Sequence, residues 1–237
     1  MVEHTVKSYE EELARLSGLL ARMGGLAESQ LASAMEAIIR RDAGLADRVV
    51  AGDMQIDQIE REVDTLTVRL LALRQPVGVD LREIVSATRI GMDLERIGDL
   101  AKNLAKRVSV LNQFTPPKSI RGLERMGKLA LQQLKDVLDA LAGRDAEAAR
   151  AVWQRDEEID DMNSSLFREL LTYMMEDPRT ITLCTHLLFI AKNLERIGDH
   201  CTNVAETIYY LTTGDSFEGE RPKSDTTVYM GTSTQGG

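Results

Sequence analysis

The chain is poor in the residues that several protein classes depend on. Its two cysteines, Cys184 and Cys201, are too few for a disulfide framework. Both fall in one expected helix, too far apart along it to pair, which fits a reducing, cytoplasmic setting. Only five prolines and 4% aromatic residues accompany abundant Ala, Leu, Glu, Asp and Arg, the balance of a soluble, largely helical protein. Basic charge is in deficit. A net charge of −9, with no basic stripe, argues against nucleic-acid binding, and no helix-turn-helix or zinc-finger spacing occurs. Long hydrophobic runs are missing too. The longest uncharged apolar stretch, Thr180 to Ala191, is well short of the roughly 20 residues that cross a bilayer. The N-terminus lacks a charged-then-apolar leader, so no signal peptide is expected.

What is present is a duplication. Leu94-Glu95-Arg96-Ile97-Gly98-Asp99 returns as Leu194-Glu195-Arg196-Ile197-Gly198-Asp199, and Asn103 as Asn203, every position displaced by the same 100 places. Upstream, Arg41-Asp42-Ala43, Asp53 and Asp57 match Arg144-Asp145-Ala146, Asp156 and Asp160 at an offset of 103. The change of offset places a small length difference in the connectors at Gln75-Pro76 and Asp177-Pro178. The chain therefore divides into two related halves, 8–113 and 117–213, each of about 100 residues, a usual size for a compact unit.

Apolar residues recur at helical spacing in both halves. Leu13, Leu16, Leu20, Met23, Ala27, Leu31, Ala34 and Ile38 form one seam; Val49, Ile56, Ile59, Val63, Leu66 and Leu70 a second; Leu81, Ile84, Leu94, Ile97, Ala101, Leu104 and Val108 a third. Breaks fall at Gly44, Gln75-Pro76, Pro116-Pro117, Gly143 and Asp177-Pro178. The expected fold is all-α: two tandem three-helix bundles, six long antiparallel helices in all, joined by a Pro-Pro linker. From 214 to 237 the periodicity gives way to Gly, Ser, Thr and charged residues, and this tail is expected to be disordered.

The acids carry the chemistry. Glu95, Asp99 and Asn103, like Glu195, Asp199 and Asn203, stand at i, i+4, i+8 and so line one helix face over about 12 Å. At 100° per residue they lie opposite the apolar seam and are expected to face away from their own core. The second helix of each half adds a pair, Asp53 with Asp57 and Asp156 with Asp160, the first extended by Glu60 and Asp64. If neighbouring helices bring these rows together, the oxygen ligands suit hard or borderline cations such as Fe³⁺, Mn²⁺ or Mg²⁺. The same spacing also suits a solvated face whose acids pair with Arg96, Lys102, Lys106 or Arg196. Gly98 and Gly198 mark either close backbone approach or interhelical packing. His186 and His200 lack zinc-site spacing, and His200 corresponds to Leu100 in the first copy.

These residues resemble the PhoU family of phosphate-specific transport accessory proteins. The resemblance rests on Gln75-Pro76, Asp80-Leu81-Arg82-Glu83-Ile84, Asp93 to Asp99 and the second Leu194–Asp199 copy, and runs to about Tyr210. It implies two similar three-helix bundles and no catalytic activity. It implies a negative regulator of the phosphate-starvation response, an adaptor between the ATPase of a phosphate ABC transporter and a sensor histidine kinase. A cytoplasmic homodimer is expected, compatible with the acidic rows and the glycines, that reaches the membrane only through its partners. Its Glu/Asp-x-x-x-Asp motifs, which bind iron, zinc, manganese or magnesium in the family, fall here on Asp53/Asp57, Glu95/Asp99, Asp156/Asp160 and Glu195/Asp199, extended by Asn103 and Asn203. One departure is Asp93, where the second copy has Asn193, so the two sites are expected to differ in charge.

Other functions fit the residues less well. A ferritin-like iron store or oxidase uses Glu-x-x-His pairs, and none occurs in this chain. A phosphotransfer module would need an exposed histidine, whereas His186 sits inside the apolar Thr180–Ala191 run. A plain helical scaffold would show neither a stoichiometric metal nor a transporter partner.

Overall fold

A computed structural model describes residues 2–115, 120–155 and 157–217, with side chains from Ser8 onward. The expected Pro116-Pro117 linker lies outside the described residues, as does most of the tail. Among the described residues every regular element is helical. The first half contains α1 (Val2–Arg40), α2 (Ala43–Gly52), α3 (Met54–Arg74), α4 (Gly78–Ala105) and the short α5 (Val108–Leu111). The second contains α6 (Ile120–Gly143), α7 (Ala146–Gln154), α8 (Glu157–Glu176) and α9 (Ile181–Thr213), the last entered through a 3₁₀ turn at Pro178–Thr180. The long helices α1, α3 and α4 form one three-helix bundle; α6, α8 and α9 form the other.

The duplicated Arg-Asp pair builds the same corner twice. Arg41 (φ 59°) and Arg144 (φ 48°) take the left-handed conformation that ends α1 and α6. The next residue then caps the following helix: Asp42 accepts from the Leu45 N–H at 2.9 Å, and Asp145 from those of Glu147 and Ala148. Further on, the second apolar seam is not one helix. It kinks at Asp53, between α2 and α3, and again between α7 and α8. At the first kink the Asp53 carboxylate turns inward to Lys102 of α4 and makes no cap bond to α3.

The bundles lie side by side and share one core. α4 packs along α9 and α1 along α6. Asp93 meets His200 while Arg107 meets His186, so α4 and α9 run antiparallel. Leu94, Ile97, Leu104, Leu194 and Ile197 are fully buried, each contributing about 1.5–3 kcal/mol of transfer free energy. This arrangement corrects one expectation. The acidic rows do not simply face outward: Asp53, Asp160 and Glu195 are buried. α4 and α9 are the central helices, flanked on several sides, and keep only a narrow exposed stripe each, through Met92 and Arg96 on α4 and Phe189 and Arg196 on α9.

The α3–α4 and α8–α9 turns form the tips of the two bundles, and the antiparallel packing sets them at opposite ends. The first exposes Leu73, Val77, Val79 and Leu81; the second exposes Met175 and Ile181 beside an Asp177–Arg179 ion pair. The segment expected to be a tail begins in order. Gly214 ends α9 in the left-handed region, and the Phe217 ring stacks on Tyr209 at 4.1 Å and lies against Trp153 at 4.9 Å. Residues 218–237 lie outside the described residues.

Candidate functional site

In the first half the acids divide into two groups. Lys102, one turn beyond Asp99 on α4, reaches between Asp99 and Asp53. Its ammonium donates to Asp99 Oδ1 at 2.6 Å and to Asp53 Oδ2. Burial alone would lower the Lys102 pKa, but the hydrogen bonds to the two carboxylates outweigh it and hold the group well above the lysine range. The second group, Asp57, Glu60 and Glu95, lines a cleft of about 320 Å³ with Arg61, Met92 and Arg96. Asn103 stands exposed on the same helix.

Glu95 is pushed up in pKa, first by burial and then by the charges of Asp99, Asp57 and Glu60, against the opposing pull of Arg96. Glu60 is raised in the same way, by burial and then by Asp64 and Asp57, against Arg61 and Arg96. A carboxyl group whose pKa is higher folded than unfolded binds its proton more readily in the fold. Stability therefore falls as pH rises through that folded pKa, and at neutral pH the ionised pair opposes folding. Glu95→Gln is expected to raise stability at pH 7 by up to about 1 kcal/mol, the scale of charges with solvent access. The gain should close as pH drops into the acid range; chemical denaturation at several pH values reads it.

The second half is not a copy. Asp156 lies outside the described residues. Asp160 and Glu195 are buried, and Lys192 donates to Glu195 Oε1 at 2.8 Å. Asp199 is half-buried. The Asn203 amide donates to Asp93 Oδ1 across the bundle interface at 3.2 Å, and His200 Nδ1 lies 2.8 Å from the same oxygen. Two departures from the repeat, Asp93 for Asn193 and His200 for Leu100, thus meet each other. Asp93 serves the joint between bundles.

Two residues that sequence reasoning passed over complete the picture. Gln30 of α1 and Gln133 of α6 share the offset of 103 and are both buried. A Cβ added at Gly98 would lie 2.8 Å from Ile56 Cδ1 and 3.3 Å from Gln30 Oε1; at Gly198 it would lie 3.1 Å from Ile159 Cδ1 and 3.2 Å from Gln133 Oε1. The motif glycines thus make room for an isoleucine and a glutamine from neighbouring helices, which is the packing reading. The shared offset was the available signal for both glutamines.

Among the described residues, no three His, Cys, Asp or Glu side chains converge closely enough to enclose an ion. Asp53 and Asp99 already hold an ammonium and do not fit a metal as they stand. Asp57, Glu60 and Glu95 have the donor chemistry for a hard cation, which would relieve their mutual repulsion.

The fold and this surface define an all-α protein of duplicated three-helix bundles, each presenting acids along its central helix. The family model described as "PhoU domain" matches residues 20–108 and again 123–208, and the chain belongs to the PhoU family. It is 56% identical over 226 residues to the phosphate-specific transport system accessory protein PhoU homolog of Caulobacter vibrioides, covering 95% of this chain and 98% of that one. It is 53% identical to the homolog of the same name from Rhizobium meliloti, covering 98% of each chain. The crystal structure of PhoU from Pseudomonas aeruginosa superposes with a TM-score of 0.85 at 41% identity, covering 87% of this chain and 100% of that one. That of the phosphate transport system regulatory protein PhoU from Streptococcus pneumoniae gives 0.80 at 32% identity, covering 89% and 99%.

Proposed function

We propose that this protein is an accessory protein of a phosphate transport system and a negative regulator of the phosphate-starvation response. The observation that carries the reading is identity above one half, over nearly the whole chain, to relatives named as phosphate-specific transport system accessory proteins. The protein acts as a non-catalytic cytoplasmic adaptor, built of the repeats 8–113 and 117–213. It joins the ATPase of the phosphate ABC transporter to a sensor histidine kinase, and works as a homodimer. Among the described residues no helix is long and apolar enough to cross a membrane, which fits recruitment through partners. When phosphate is plentiful the adaptor holds the kinase in its non-activating form; it can do so only by binding that form better than the active one. Asp57, Glu60 and Glu95, which do not enclose an ion as they stand, would hold a divalent or ferric cation by drawing closer together, and the ion would supply charge neutralisation.

The test is deletion of the gene, with alkaline phosphatase and phosphate uptake measured in phosphate-replete cells. The expected result is high phosphatase and excess uptake, both reversed by the wild-type gene and left high by one carrying Glu95→Ala and Asp99→Ala. Normal repression in the deletion strain would remove the signalling role.

A further inference from the structure

The metal expectation and the structure part at Asp53. Its carboxylate is 4% exposed and sits at the kink between α2 and α3, and an unpaired carboxylate at that depth is strongly unfavourable. The chain answers with a cation of its own. We propose that the Lys102 ammonium is the resident cation of the first repeat: it neutralises Asp53 and Asp99 together, so this half of the molecule keeps its acidic pair without an external metal ion.

The two repeats supply the internal comparison. The position of Lys102 is taken in the second repeat by Thr202, which carries no charge. The Thr202 hydroxyl donates to the Gly198 carbonyl at 3.1 Å and accepts from Gln133 Nε2 at 3.3 Å. In the first repeat Gln30 holds the place of Gln133. Its amide lies against Gly52 and Gly98, the residues just before Asp53 and Asp99, and has no hydrogen-bond partner among the described residues. A neutral Gln–Thr contact in one repeat is thus replaced in the other by a charged Asp–Lys–Asp bridge, which leaves the glutamine unanswered. Lys102 also fastens the kink of the second seam to α4. The inference stands apart from the phosphate-signalling role and from occupancy of the Asp57/Glu60/Glu95 cleft.

Melting of the full chain, stripped with EDTA and then supplied with Mn²⁺, tests it, together with equilibrium dialysis against Mn²⁺. Lys102→Thr is expected to lower the EDTA midpoint by about 5–10 °C, because it leaves a buried carboxylate unpaired. Mn²⁺ should restore most of that loss, with one more ion bound per chain than in wild type. Lys102→Arg, which keeps the charge, should behave as wild type. Adding Asp53→Asn to Lys102→Thr should recover stability in EDTA and remove the extra ion, which distinguishes lost charge balance from general misfolding. Gain of an ion by Lys102→Thr when wild type binds none would support the inference while defeating the metal reading of the cleft. The inference is overturned if Lys102→Thr melts as wild type in EDTA, gains no ion, or stays destabilised in both Mn²⁺ and the double variant.

Discussion

Ile97→Ala and Ile197→Ala are each expected to destabilise the protein by about 2–5 kcal/mol, and each through a single cooperative transition. Both side chains are fully buried in the repeated motif, Ile97 on α4 and Ile197 on α9. Truncation loses their transfer free energy and leaves a cavity between helices that cannot close freely. At this chain length about 2–4 °C of melting temperature accompanies each kcal/mol, so shifts of roughly 5–15 °C follow. Cooperativity is the sharper part. A chain of two repeats would melt in two steps if each bundle had its own core. Here α4 lies along α9 and α1 along α6, and the buried residues form one continuous cluster. Both variants should therefore move one whole transition. Calorimetry showing two steps, with Ile97→Ala moving only one, would refute the shared core.

Arg41 and Arg144 occupy the same place in the two repeats, yet their replacement should have unequal effects. The Arg41 guanidinium donates to the carbonyls of Leu111 and Phe114 and to Asn112 Oδ1 at 3.3 Å, binding the end of α1 to the segment that closes the first bundle. Arg41→Ala leaves the two carbonyls without this donor, and hydrogen bonds from a charged group contribute about 1.5–3 kcal/mol each to stability. A loss of about 2–4 kcal/mol is expected. Arg144 pairs with Glu83 of the other bundle, and its side chain is 52% exposed. The Glu83 side chain is only 14% exposed, but the arginine end of the pair meets solvent, so it is expected to contribute about 1 kcal/mol, and salt should weaken it further. Urea titration of both variants at low and high salt separates the two cases. Equal losses would mean that the corner itself, with its left-handed arginine and aspartate cap, carries the stability.

The sequence made the long-range order of the fold legible because the helices announce themselves locally. The seams from Leu13 to Ile38 and from Leu81 to Val108, the constant offsets, and the Gln75-Pro76 and Asp177-Pro178 turns all show in linear order. The inward turn of the Asp53 carboxylate does not, since its partner is a lysine 49 positions away. Nor does the burial of Asp53 and Glu195, because a helical wheel registers only a helix's own core and not the neighbours that cover its other faces. Lys102 was visible as a possible partner for a solvated row; i, i+3 spacing places it near Asp99 but says nothing of Asp53. The Asp93–His200 contact is hidden most deeply. Each residue departs from the repeat and reads alone as noise, and only the antiparallel packing of α4 on α9 brings them together.

That antiparallel packing has a further consequence. Duplication with reversal gives the molecule two poles built from the same template, some 40 Å apart along helices of this length. Since the split the poles have diverged: one shows Val77 and Val79, the other Met175 and Ile181 beside the Asp177–Arg179 pair. A substitution at one pole leaves the chemistry of the other untouched, so each can be tuned to its own contact while the shared middle keeps both in register.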